Sequence, residues 1–216
     1  AEFGIRHRGS TVPERSGVAL SFCRRPSLNN SEISLKLSPE LEIRDAKLLL
    51  TSITNYISTT KINIKNEETF PYGFWLIKFI KKNDHLEIFE YNKEATEFIC
   101  GANYTIDCWN KQHEICSKYS APFSPPRPDR KIVISEGVYS GGNVTGVRYP
   151  SPEHMSGWWL TSDEYNGDTK TLKIVHLYHL TAHRPDIMPF IALPFGYRFF
   201  IQGAESSAWH DQKIDR

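Results

Sequence analysis

The sequence predicts an α+β protein of two small domains, each a mostly antiparallel sheet with one or two packed helices. Three observations lead there. Short stretches alternate polar and apolar residues with the period of a half-buried strand, and others place apolar residues three and four apart as a helix stripe does. Between the two halves lies SAPFSPPRPDR, Ser120 to Arg130, with four prolines in eleven residues; it can continue neither a helix nor a central strand and reads as a linker. At 216 residues, 39% hydrophobic and 24% charged, the chain falls in the globular range, which excludes disordered, collagen-like and coiled-coil readings.

In the first half, Glu32 to Leu37 (EISLKL) alternates as a strand. A helix follows near Asp45, with Ala46, Leu49, Leu50, Ile53 and Ile57 on one stripe. Phe74 to Ile80 and Leu86 to Phe89 are apolar and aromatic runs separated by Lys81, Lys82, Asn83 and Asp84, a hairpin pattern. Ile106, Trp109, His113 and Cys116 suggest a second helix over Thr105 to Tyr119. One sheet with two helices on a face satisfies residues 31–119.

After the proline segment, KIVIS from Lys131 reads as a buried strand and GVYSGGN as a glycine-rich turn. Val144 to Tyr149 and GWWLT from Gly157 read as further strands. Ile174 to His183 fits a short helix stopped by Pro185. Phe195 to Ile201 closes the sheet, so the second domain covers 131–202 and leaves 203–216 as a tail.

The 26 basic and 25 acidic residues give a net charge of +1, which excludes a protein that coats nucleic acid or anionic lipid through its bulk field. The balance is uneven. Residues 1–30 hold five arginines against two glutamates, a net +3, so the body carries −2. The opening AEFGIRHRGSTVPERSG lacks an initiator Met and any amphipathic period and reads as vector-derived residue or a loose arm, with a native basic arm as the alternative. The run Val18 to Phe22 is too short for a signal-peptide core, and no window approaches the about 20 apolar residues of a membrane span. A cytoplasmic protein is expected.

Of the four cysteines, Cys100, Cys108 and Cys116 recur every eight residues. On a continuous helix, neighbours in that series would lie about 12 Å apart, beyond disulfide reach. No CxxC pair is present, and buried reduced thiols are expected. HLYHLTAH offers a sharper possibility, because His179 and His183 have the i, i+4 spacing at which two imidazoles can share a metal. His176 and His183 would be about 10 Å apart along the axis, and no HExxH glutamate is present. A metal-dependent hydrolase using His179 and His183 with Asp186 therefore stays as an alternative beside a polar helix face. Ser135 and Ser140 flank a glycine turn but sit in neither GxSxG nor a phosphate loop. No catalytic residue, metal or cofactor is assigned.

The more informative stretch is Met155 to Asp168, where Trp158, Trp159 and Tyr165 accompany Asp163, Glu164 and Asp168. On a strand the two tryptophans face opposite sides, so one enters the core while the other is exposed or covered by the neighbouring domain. A surface Trp beside carboxylates is the composition of a binding hot spot for a basic protein. The candidate partner-binding residues are Trp159, Asp163, Glu164, Tyr165 and Asp168.

SGWWLTSDEYN (Ser156 to Asn166) followed by LKIVHLYHLTAHRPDIMPFIALPFGYRFF (Leu172 to Phe200) resembles a family of bacterial immunity proteins from polymorphic-toxin and contact-dependent competition systems. The resemblance rests on Ser156-Gly157-Trp158, then Asp163-Glu164, then Pro185, Ile187 and Pro189, then Pro194 and Gly196. It covers about residues 131–202, with a looser similarity of 31–119 to the extra domain of longer members. It implies a non-catalytic inhibitor that binds a cognate effector toxin, such as one delivered by type VI secretion, and a basic nuclease would suit the acidic residues. An adaptor domain without a toxin partner is the remaining alternative.

Overall fold

The computed structural model describes residues 3–6, 18–22, 32–38 and 41–214. These residues form an α+β structure of three α-helices and two mixed sheets, divided into two compact units. The first comprises 1–72, 76–92 and 96–107; the second comprises 73–75, 93–95 and 108–216.

The first unit is built on strands β1 (Phe3–Arg6), β2 (Val18–Phe22), β3 (Glu32–Leu37), β4 (Thr69–Tyr72), β5 (Trp75–Lys82), β6 (His85–Tyr91) and β7 (Phe98–Cys100). Their order is β1-β2-β3-β6-β5-β4, with β7 also paired to β6. Helix α1 (Ile43–Thr60) buries the expected stripe of Ala46, Leu49, Leu50, Ile53 and Ile57, and Lys61 ends it in the left-handed region at φ 54°. The strands bury Ile33, Leu35, Ile77, Phe79, Leu86 and Ile88. Helix α2 (Asn103–Lys118) starts against a strand carboxylate. Glu90 of β6 accepts hydrogen bonds from the amides of Tyr104 at 3.0 Å and Thr105 at 2.6 Å and from the Thr105 hydroxyl at 2.8 Å. It thus satisfies amide donors that the first turn leaves unpaired.

The second unit contains β8 (Lys131–Ile134), β9 (Val144–Arg148), β10 (Met155–Ser162), β11 (Lys173–His176), β12 (Tyr197–Gln202), β13 (Glu205–His210) and the short helix α3 (Leu177–His183). The order is β11-β8-β10-β9-β12-β13; β8 and β10 run parallel and the other pairs antiparallel. One face is the core. Ile134, Leu160, Gly146, Phe199 and Ala208 succeed one another in register across five strands, and Phe199 is fully buried against Trp158 and Phe190. A Cβ on Gly146 would stand 2.3 Å from the Phe199 ring, so this position has to lack one.

Two buried arginines tie the loops to this core. Arg148 donates to the carbonyls of Ser156, Ser124 and Leu193. Burial lowers its pKa to about 10, which leaves it charged at neutral pH. Arg184 grips the Asp186 carboxylate through Nε and Nη2 and donates from Nη1 to the Val138 carbonyl and from Nη2 to the Gly142 carbonyl.

Several expectations need correction. Ser120–Arg130 does lack helix and strand, but it is built into the second unit. The Phe123 ring stacks on His113, and Ser124 donates its amide to Ala192 at 2.9 Å. The division between units falls instead after Asp107, within α2. Ile174 to His183 is not one helix: Lys173–His176 pairs with β8, and the helix begins at Leu177, whose amide is taken by the Arg130 carbonyl. The β-branched pair Ile174 and Val175 suits the sheet better than a helix. Residues 203–216 are no tail, since β13 pairs along the whole of β12. Much of the expected arm at 1–30 lies outside the described residues, but β1 and β2 form a hairpin added to β3. Cys108 and Cys116 are buried thiols, whereas Cys100 is exposed on β7 and Cys23 lies outside the described residues. Among the described residues, no helix is long and apolar enough to cross a membrane.

Candidate functional site

The face of the six-stranded sheet opposite its core carries the unusual surface. Register places Ile174 beside Val133, Val133 beside Trp159, Trp159 beside Val147, Val147 beside Arg198 and Arg198 beside Trp209. Residues paired across strands point to one side of a sheet, so this row crosses all six strands. Ile174 is 62% exposed, Trp159 39% and Trp209 43%. The row alongside adds Thr145, Phe200 and Ser207. Arg198 is the cation in the row, and Asp211 accepts from its Nε at 2.6 Å. Val133 in this row is buried and Arg198 interrupts it, so the exposed apolar surface is concentrated at Ile174, Trp159 and Trp209; large exposed apolar side chains on one sheet face are the composition of an interaction site.

The sequence places Trp159 here by simple alternation. Trp158 turns inward and is fully buried, donating from its indole nitrogen to the Ile191 carbonyl at 3.0 Å, while Trp159 turns out. Ser156 and Gly157, just before Trp158, have structural duties. The Ser156 hydroxyl donates to the Lys131 carbonyl and receives the Trp158 amide. Gly157 sits at φ 82°, with a would-be Cβ 2.3 Å from the Tyr149 carbonyl oxygen and 2.7 Å from the Phe195 ring. Only glycine fits both conditions.

At the end of β10 the chain turns into the acidic loop. Asp163 accepts from Asn143 Nδ2 at 2.6 Å. Asp168 accepts from the Lys170 amide at 2.9 Å and caps the single helical turn Thr169–Thr171. Glu164 is exposed and Tyr165 half-buried. Asp163, Glu164, Tyr165 and Asp168 therefore share one loop. Trp159 stands four residues back along the strand, about 13 Å away at 3.3 Å per residue. The neighbouring β12–β13 turn adds exposed Glu205 at the same end of the sheet, because β13 starts where β10 finishes.

At the opposite end, Tyr149, Pro150, Pro152, Met155 and Trp159 line an open groove of about 490 Å³. The Tyr149 and Trp159 rings meet edge to face at 6.2 Å. Sequence reasoning missed Tyr149, Pro150, Pro152, Ile174 and Trp209. Trp209 stood in the supposed tail and Ile174 in the supposed helix, and the groove depends on a register between residues ten apart.

The His176 and His179 rings lie 6.2 Å apart at the start of α3. His176 ends β11 and its Nδ1 lies 3.2 Å from the Asp129 carbonyl, while His183 Nδ1 lies 2.9 Å from the His179 carbonyl on α3. Asp186 is occupied by Arg184. Among the described residues, no group of three or more His, Cys, Asp or Glu is placed to hold a metal ion.

No curated protein and no solved structure matches the chain. Residues 111–211 match the family model of the Imm33-like domain. The match begins in the second half of α2 and runs through β13, so it takes in the proline segment and the outer sheet face described above. This similarity supports an immunity-protein family for the second unit.

Proposed function

We propose that the protein is a non-catalytic immunity protein that binds a cognate bacterial effector toxin and neutralises it by direct contact. The observation that carries this reading is the Imm33-like match over 111–211, which coincides with the unit bearing a bare aromatic sheet face. In this reading Trp159, Asp163, Glu164, Tyr165 and Asp168 contact the toxin. The loop carboxylates speed association with a basic surface, and the aromatic row slows dissociation. A nuclease, whose substrate cleft is basic, fits that charge. The protein acts in the cytoplasm of the producing cell and needs no cofactor.

One observation weighs against the hydrolase alternative: Arg184 engages the Asp186 carboxylate through Nε and Nη2. The adaptor alternative is distinguished by genetics. The test is expression of the toxin domain encoded directly upstream of this gene, alone and together with this chain. Restored growth and a co-purifying complex are expected; continued killing without a complex would refute the reading.

A further inference from the structure

Deepening the immunity reading, on which it rests, we propose that the Tyr149–Met155–Trp159 groove is the anchor pocket for the toxin. A protruding apolar side chain of a basic protein surface would insert there while the acidic loop holds the far end of the same face.

The groove is formed before any partner arrives. Gly157, at φ 82°, lets β10 pass within contact of the Tyr149 carbonyl and Phe195, and the pairing of β10 with β8 shifts register between Met155 and Trp159. The Tyr149 amide donates to the Gly157 carbonyl at 2.9 Å, and the Met155 amide donates to the Pro152 carbonyl at 2.9 Å, which closes the Pro152–Met155 turn. Pro150 and Pro152 fix φ on this stretch, so little conformational freedom is left to lose on binding. Trp159 and Tyr149 remain more than a third exposed, and Pro150 and Pro152 are exposed too. A stiff wall of Trp, Tyr, Met and Pro around an open space has the composition of a hot-spot pocket.

Charge and size select the occupant. Asp163, Glu164, Asp168 and Glu205 gather at the end of the face away from the groove, against Lys170 and Lys173, of which Lys173 lies 3.5 Å from Glu136. A partner that fills the groove and reaches this end is met by net negative charge. The face is about 24 Å across six strands and about 26 Å from Met155 to Asp163, on the order of 600 Å². That approaches the about 800 Å² which each partner contributes to a standard interface.

The test measures association and dissociation of the purified, catalytically inactivated toxin domain encoded upstream, with the full chain and two classes of variant. Trp159→Ala and Met155→Asp should raise the off-rate at least about 30-fold with the on-rate within about threefold. Asp163→Lys with Glu164→Lys should lower the on-rate about tenfold in low salt, an effect that fades at high salt. Thermal unfolding checks each variant; Met155→Asp, at the rim, serves if Trp159→Ala is poorly folded. Unchanged off-rates in folded groove variants, with tight binding by the wild type, would overturn the pocket and leave the immunity reading standing. A wild-type chain that does not bind the toxin would overturn both. A wild-type dimer that the groove variants convert to monomer would assign the face to a second copy and likewise overturn the proposal.

Discussion

Two adjacent rows of the second unit's sheet differ in everything but their strands. Ile134, Leu160, Gly146, Phe199 and Ala208 form a core row in which no side chain is more than 5% exposed, whereas Ile174, Trp159 and Trp209 in the next row are each more than a third exposed. Both rows are largely apolar. Hydrophobicity therefore does not separate stabilising from interacting residues here; the covering element does. The core row lies against Phe190 and the loops that Arg148 and Arg184 secure, and the outer row is flanked by the groove at one end of the strands and the acidic loop at the other. The neighbouring tryptophans make the contrast within one dipeptide.

The largest effect expected from breaking the contrast is at Trp158. Trp158→Ala should destabilise the protein by about 3–5 kcal/mol in urea unfolding, whereas Trp159→Ala should cost less than about 1 kcal/mol. Similar losses at the two positions would mean that the outer face is covered after all. Next comes Arg148→Met, which strips three backbone carbonyls of a charged donor and should cost about 2–4 kcal/mol. A midpoint equal to that of the wild type would show that the guanidinium does not hold the loops. Gly157→Ala should cost about 2–3 kcal/mol through left-handed strain and the clash with the Tyr149 carbonyl, and should also distort the groove.

The smallest effect is in pH. His113 lies 3.8 Å from both the Trp109 and the Phe123 ring, which are 5.9 Å from each other, and burial lowers its pKa from the ordinary 6.5. The unfolded chain then binds the extra proton more readily than the folded one. Its contribution is fully present above about pH 6.5 and declines as pH falls below that value towards the lowered folded pKa. His113→Phe should flatten this part of the stability–pH profile relative to the wild type, and an unchanged slope would remove His113 as its source.

Much of the fold was legible because local periodicity agreed with burial. The α1 stripe, the β5–β6 hairpin and the inward and outward tryptophans all follow from spacing. The misses share a cause, which is that long-range pairing outweighed a local signal. Prolines forbade regular structure at Ser120–Arg130 but not packing, since Phe123 and Ser124 found partners on distant segments. In KIVHLYHL a strand and a helix abut, and a window that spans both shows neither period cleanly. β13 buries only Ala208, too little to show as a core strand. Of the candidate site, Trp159 and the acidic loop could be chosen from composition. The groove could not, because Tyr149 and Trp159 meet only through the antiparallel register of β9 and β10.

In the function proposed above, the outer row and its acidic end neutralise a toxin while the inner row only holds the fold. The direct measurement is growth of cells expressing the upstream-encoded toxin domain together with either the wild-type chain or the triple variant Trp159→Ala/Asp163→Lys/Glu164→Lys. With both chains shown to be folded and equally abundant, the wild type should protect and the triple variant should not. Equal protection by the two, or none from the wild type, would contradict it.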